Sequence, residues 1–148
     1  LILRQQPVAR DLRVISSALK MISDMERIGD QASDIVELAQ YIKKSDVKYK
    51  THLSDMANEV IKMVTKSIKS FVKKDIEMAR TLIVYDDVVD NYFEEIKKEL
   101  IRIISSGESD GEEFIDILMI AKYLERIGDH ATNIAEWVEY SILGYHAE

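Results

Sequence analysis

Apolar residues recur at steps of three and four along almost the whole chain, and only one proline and five glycines interrupt them. That spacing is the period of an amphipathic helix. So little turn material argues against a sandwich or barrel. The pattern predicts an all-α antiparallel helix bundle of four helices. The first covers about 7–42, with Pro7 in its first turn, where a missing N–H costs nothing. Its apolar stripe is Val8, Leu12, Ile15, Leu19, Ile22, Met25, Gly29, Ala32, Ile35 and Ala39. A polar loop, 43–50, leads to a second helix over about 51–73 with Met56, Val60, Met63, Val64, Ile68, Phe71 and Val72 inward. Asp75 is placed to N-cap a third helix over 76–104. Ser-Ser-Gly-Glu-Ser-Asp-Gly at 105–111 reads as a turn, and Ser109 with Glu112 has capping-box spacing. The fourth helix then runs to about Leu143, with Gly144 at the position where helices favour glycine after their last turn.

Length and charge narrow the classes. The 148 residues, 47% apolar, suffice for one core or two small ones sharing an interface. Without cysteine there is neither a disulfide framework nor a thiolate metal site, which fits a reducing cytoplasm. No apolar run reaches the roughly 18 residues of a membrane span; 114–124 is broken by Asp116 and Lys122. The net charge of −7 has the sign opposite to that of a typical nucleic-acid binder. The text opens on Leu1, inside a helical pattern and without a signal-peptide signature, so further helices are expected ahead of it.

The chain repeats itself. Glu26-Arg27-Ile28-Gly29-Asp30 recurs as Glu125-Arg126-Ile127-Gly128-Asp129, and Ala32, Ile35 and Glu37 match Ala131, Ile134 and Glu136, each pair 99 residues apart. The first helix therefore corresponds to the fourth. Helices two to four make a complete three-helix unit, and helix one is the last third of another.

Acids follow the repeat. Glu26, Asp30 and Asp34 are spaced by four, and each step turns only about 40° around a helix, so they share a face. Glu125 and Asp129 do the same, with Asn133 third. Like charges four apart cost roughly 0.2–0.5 kcal/mol per pair, so a cation, a basic side chain or free solvation must offset them. Asp86, Asp87 and Asp90 form a second row on helix three. Asp90 and Glu125, like Asp86 and Asp129, lie equally far from the 105–111 turn, so an antiparallel pair sets the rows at one height. All-oxygen donors suit hard or borderline cations such as Mg, Ca, Mn or Fe; zinc usually adds His or Cys. The competing reading is a set of solvated surface acids. Gly29 and Gly128 mark close helix approach, or backbone kept clear beside the site.

Arg4-Gln5-Gln6-Pro7-Val8-Ala9-Arg10-Asp11-Leu12-Arg13, Glu26–Asp30, Asp86 with Asp90, and Leu124-Glu125-Arg126-Ile127-Gly128-Asp129-His130-Ala131-Thr132-Asn133-Ile134-Ala135-Glu136 together closely resemble the PhoU family. The resemblance spans nearly the whole chain. It implies two three-helix bundles side by side, with 1–44 the last helix of a first repeat and 51–145 a complete second repeat. It also implies a cytoplasmic negative regulator of phosphate transport and phosphate-starvation signalling. The implied partners are the ATPase of the phosphate ABC transporter, a sensor histidine kinase and a second copy in a homodimer. Multinuclear iron or zinc is implied on Glu26, Asp30, Asp34, Asp86, Asp90, Glu125, Asp129 and Asn133. With no helix to face helix one, the first of these sites is half-built.

Other features carry less. Lys62, Lys66, Lys69 and Lys73 form a basic stripe that reads as a solvated face, with anionic lipid or an acidic partner as alternatives. His130 lies about 100° around the helix from Asp129, off the acidic row. His52 and His146 look incidental, and Trp137 and Tyr140 look like packing or surface aromatics. Arg27 and Arg126 are read as structural partners of nearby acids. The competing functions are a metal-free helical scaffold and a carboxylate-bridged metalloenzyme. The second lacks the Glu-x-x-His pairs of di-iron bundles, and no hydrolytic triad or phosphate loop accompanies it, so the reading is not an enzyme. Helix one must bury its apolar stripe on helices two to four or on another copy.

Overall fold

The computed structural model of this chain describes residues 2–42, 51–107 and 111–144, and of 2–6 the backbone alone. These residues form four helices: α1 (Ile2–Ala39), α2 (Leu53–Lys73), α3 (Ile76–Ser105) and α4 (Gly111–Leu143). No strand occurs among them, as the apolar period predicts.

Local chemistry explains the joints. α2 ends where Lys74 turns left-handed (φ 52°) and its N–H meets Phe71 O at 3.2 Å. Asp75 then caps α3, its carboxylate accepting the Met78 N–H at 3.1 Å. Gly107 (φ 74°) opens the turn toward α4, and Gly144 (φ 84°) closes α4 with its N–H on Tyr140 O at 2.8 Å. Both conformations favour glycine. The loop 43–50, Ser109 of the expected capping box and His146 lie outside the described residues. α1 starts at Ile2 rather than near Pro7, so the proline sits beyond the first turn and removes an intrahelical N–H.

α4 is the central element. It packs against α1, α2 and α3, while α2 and α3 also pack on each other. Ile117, Ala121, Ala131, Ile134, Ala135 and Val138 of α4 are buried against Met56, Val60 and Met63 of α2 and Leu82, Val89, Ile96 and Leu100 of α3. Each large aliphatic side chain so buried contributes roughly 1.5–3 kcal/mol. Ile68 and Val72, expected inward on α2, are exposed instead: the apolar face of α2 is wider than the surface α3 and α4 offer it.

The larger correction concerns α1. Of its apolar stripe, Val8, Leu12, Ile15, Leu19, Ile22 and Met25 are exposed and not packed on α2, α3 or α4, whereas Ile35 lies against the core. α1 meets α4 through Val14, Ser17, Ala18, Met21, Asp24, Ile28, Ile35 and Leu38. This contact is partly polar. Asp24 is buried, with His130 Nδ1 at 3.0 Å from its Oδ1 and the Asn133 side-chain amide donating to the same oxygen at 3.4 Å. Arg13 Nε donates to Ser141 O at 3.3 Å. Ser17 Oγ and Gln31 Oε1 are buried without a hydrogen-bond partner among the described residues, an arrangement that weakens an interface.

Polar clasps tie the other helices. His52, ahead of α2, holds the buried Glu99 of α3 through both its backbone N–H and its ring. This is a structural role for a residue that looked incidental, and the carboxylate raises the imidazole pKa, chiefly through that hydrogen bond. Arg80 Nε donates to the buried Glu139 at 3.2 Å, and Tyr85 donates to Glu59 at 2.6 Å. Trp137 and Tyr140 meet edge to face, and Arg126 lies over the Tyr123 ring. No described helix is long and apolar enough to cross a membrane.

Candidate metal centre

The antiparallel α3–α4 pair sets its acids side by side, as the distances from the 105–111 turn require. Asp86 and Asp90 of α3 and Asp129 of α4 each present a carboxylate oxygen, and these three oxygens lie within 4.8 Å of one another. Two smaller residues shape the ground beneath them. A Cβ on Gly128 would sit 3.2 Å from Val89 Cγ1, so glycine lets the helices close up between Asp86 and Asp90. Thr132 Oγ1 lies 3.2 Å from Asp86 Oδ1 and 3.1 Å from Gly128 O, a hydroxyl able to orient that carboxylate.

The charges repel, and the acids show it. Asp129 is pushed up to about 6, first by lost solvation and then by Asp86, Asp90 and Glu125. Asp90 is raised too, by burial first and then by Asp86, Glu125 and Asp87. Lys122 works the other way on both. Its ammonium bonds Glu125 Oε1 at 2.6 Å and lies 5.2 Å from the centre of the Phe93 ring. A basic side chain thus supplies part of the offset that the acidic spacing demands, and Glu125, which it bonds, lies outside the three-oxygen group.

The other expected ligands are placed differently. Asn133 turns its amide to Asp24 of α1, because a residue two helical steps beyond Glu125 has rotated about 80° from it, toward the α1 side. His130 turns the same way. Glu26, Asp30 and Asp34 are exposed on α1, outside any described group of three potential ligands. A cation would find in Asp86, Asp90 and Asp129 an all-oxygen set without nitrogen or sulfur. That donor set fits iron, manganese or magnesium better than zinc. Lys122 and Thr132 were not among the expected site residues. Their spacing, three before Glu125 and three after Asp129, was the available signal.

These features define a class: an all-helical bundle, built on a repeated helix, that gathers acids where two helices meet. The chain belongs to the PhoU family; the PhoU domain model matches residues 1–39 and 53–138. It is 34% identical over 142 residues, 95% of its own length, to the phosphate-specific transport system accessory protein PhoU homolog 1 of Thermotoga maritima. It is 36% identical over 148 residues, 97% of its length, to the PhoU homolog of Clostridium acetobutylicum. The crystal structure of PhoU from Pseudomonas aeruginosa superposes with a TM-score of 0.80, at 34% identity over 95% of this chain and 68% of that one. The chain covers 61% and 67% of the two relatives' lengths. The family is one of accessory proteins, not of enzymes.

Proposed function

We propose that this protein is a phosphate-uptake regulator: a non-catalytic adaptor that restrains phosphate transport and phosphate-starvation signalling. Its partners in this reading are the transporter ATPase, a sensor histidine kinase and a second copy of itself, all on the cytoplasmic side. Residues 1–44 serve as the last helix of one repeat and 51–145 as the other repeat. The observation that carries the reading is the family match along both helical segments, at 34–36% identity to transport accessory proteins. Capture of the transporter ATPase and the kinase on immobilised protein tests it, and binding to neither would overturn it.

The same reading puts a hard cation, iron or manganese before zinc, on Asp86, Asp90 and Asp129. The close approach of three oxygens supports it, as does the raised pKa of two of the acids, whose repulsion a cation would relieve. Elemental analysis of protein purified without chelator, followed by calorimetric titration with Mn²⁺, tests this part separately. Failure to find or bind metal would remove the cation and leave the adaptor intact, because helical surfaces suffice for docking.

A further inference from the structure

We propose that the outer face of α2, together with the groove at its C-terminal end, docks this protein onto an anionic phospholipid surface. Residues 61–74 hold five lysines and no acid, in a chain whose net charge is −7. Lys62, Lys66, Lys69 and Lys73 repeat at helical spacing and are exposed. Lys62 has Glu59 at 3.6 Å; Lys66, Lys69 and Lys73 meet no carboxylate among the described residues. On the other solvent-facing flank of the helix, about 110° around its axis, Ile61, Ile68 and Val72 are exposed, at 62%, 38% and 73%. The solvent side of α2 therefore carries ammonium groups along one flank and aliphatic ones along the other, the pattern of a helix lying in a lipid interface.

The face continues into a groove of about 400 Å³ at the end of the bundle. Val14, Phe71, Val138 and Ile142 line it, with Arg10 and Lys74 as its cations. A lysine rather than a glycine occupies the left-handed residue that ends α2. An apolar slot beside two cations suits a lipid's phosphate and the first part of its tail. Lysines are depleted from the centres of protein–protein contacts, where arginine and aromatic residues gather. They act instead as point charges toward a plane of anionic headgroups. That chemistry selects lipid over an acidic protein as the occupant.

Sedimentation of the full chain with vesicles tests this, using phosphatidylcholine alone and phosphatidylcholine mixed with phosphatidylglycerol. Binding is expected on the mixed vesicles at low ionic strength, and to be lost on pure phosphatidylcholine or at high salt, where screening is complete within a few ångströms. Lys69→Gln should weaken partition about five-fold, the equivalent of about 1 kcal/mol per lysine near the surface. Changing Lys62, Lys66, Lys69 and Lys73 together to Gln should abolish it. Val72→Ser should weaken it without altering the salt dependence. Leu19→Ser, on the exposed stripe of α1, should leave it unchanged. All these side chains are exposed, so circular dichroism should report an intact fold. Equal binding to pure phosphatidylcholine, loss of binding in Leu19→Ser, or parental binding by the quadruple variant would each overturn the proposal. So would capture of an acidic protein by this face with no binding to either vesicle.

Discussion

Glu26–Asp30 on α1 and Glu125–Asp129 on α4 are the same five residues, yet they live in opposite surroundings. On α4, a Cβ on Gly128 would meet Val89 of α3 at 3.2 Å, Leu124 is 7% exposed, and Asp129 joins Asp86 and Asp90. On α1, nothing lies within 4 Å of a Cβ on Gly29, Met25 is 44% exposed where Leu124 is its counterpart, and Glu26 and Asp30 stand in solvent. In the proposed cation site the motif is therefore one half: it supplies a glycine gap and two acids, and the proposed ligands come together only where a second helix brings its own acids beside them. Identical sequence buys no identical environment.

Matched substitutions in the two copies test this contrast. Leu124→Ala should cost about 2–5 kcal/mol of unfolding free energy, as truncation of a buried leucine does. Its counterpart Met25→Ala should stay within about 0.5 kcal/mol, as surface changes do. Urea denaturation measures both, and equal losses would mean that the α1 stripe is covered in solution. Next in size, Gly128→Leu should destabilise by about 1–3 kcal/mol through overpacking against Val89. Gly29→Ala should instead stabilise by up to about 1 kcal/mol, from helix propensity alone.

Cation binding sharpens the comparison further. Asp129→Asn should weaken Mn²⁺ binding in calorimetry by more than the roughly ten-fold that loss of even an outer-shell partner costs. Asp30→Asn should leave it unchanged. An equal effect of both would show that α1 takes part in the site.

The smallest effect concerns pH. Asp129 takes up its proton more readily in the fold than its ordinary 3.8 would allow, with a value of about 6. Its contribution to stability is thus present below 3.8 and lost as pH rises through about 6. Thermal melts of metal-free protein should show stability falling across that window in the parent. The fall should be shallower in Asp129→Asn.

Helix number, the Asp75 cap, Gly144 and the level of the two acidic rows were all legible in the sequence. Each rests on interactions a few residues apart or on counting back from one turn. What escaped depended on which neighbours are present. Periodicity shows that α1 has an apolar stripe, but Met21, Ala18 and Ile28 make a second face, and only tertiary contact reveals that α4 takes the second. A four-residue step looks like one face, which in sequence sets Asn133 with the acids. Two steps accumulate enough rotation to hand it to Asp24 across the α1–α4 contact. The spacing of the acids demands a base without saying where it stands, and Lys122 one turn ahead of Glu125 is identified only by the contact it makes.

The central place of α4 has a consequence for how the chain is made. α1's hydrogen bonds to α4 join residues 106 to 128 positions apart. At about 5–20 residues per second, α1 emerges from the ribosome roughly 5–25 s before the helix it docks on. Throughout that interval the face that α4 covers, with Ala18, Met21 and Ile28, waits for its partner. A helix that comes early must wait for one that comes late, which makes the nascent chain, well before the finished bundle, the form in greatest need of a chaperone.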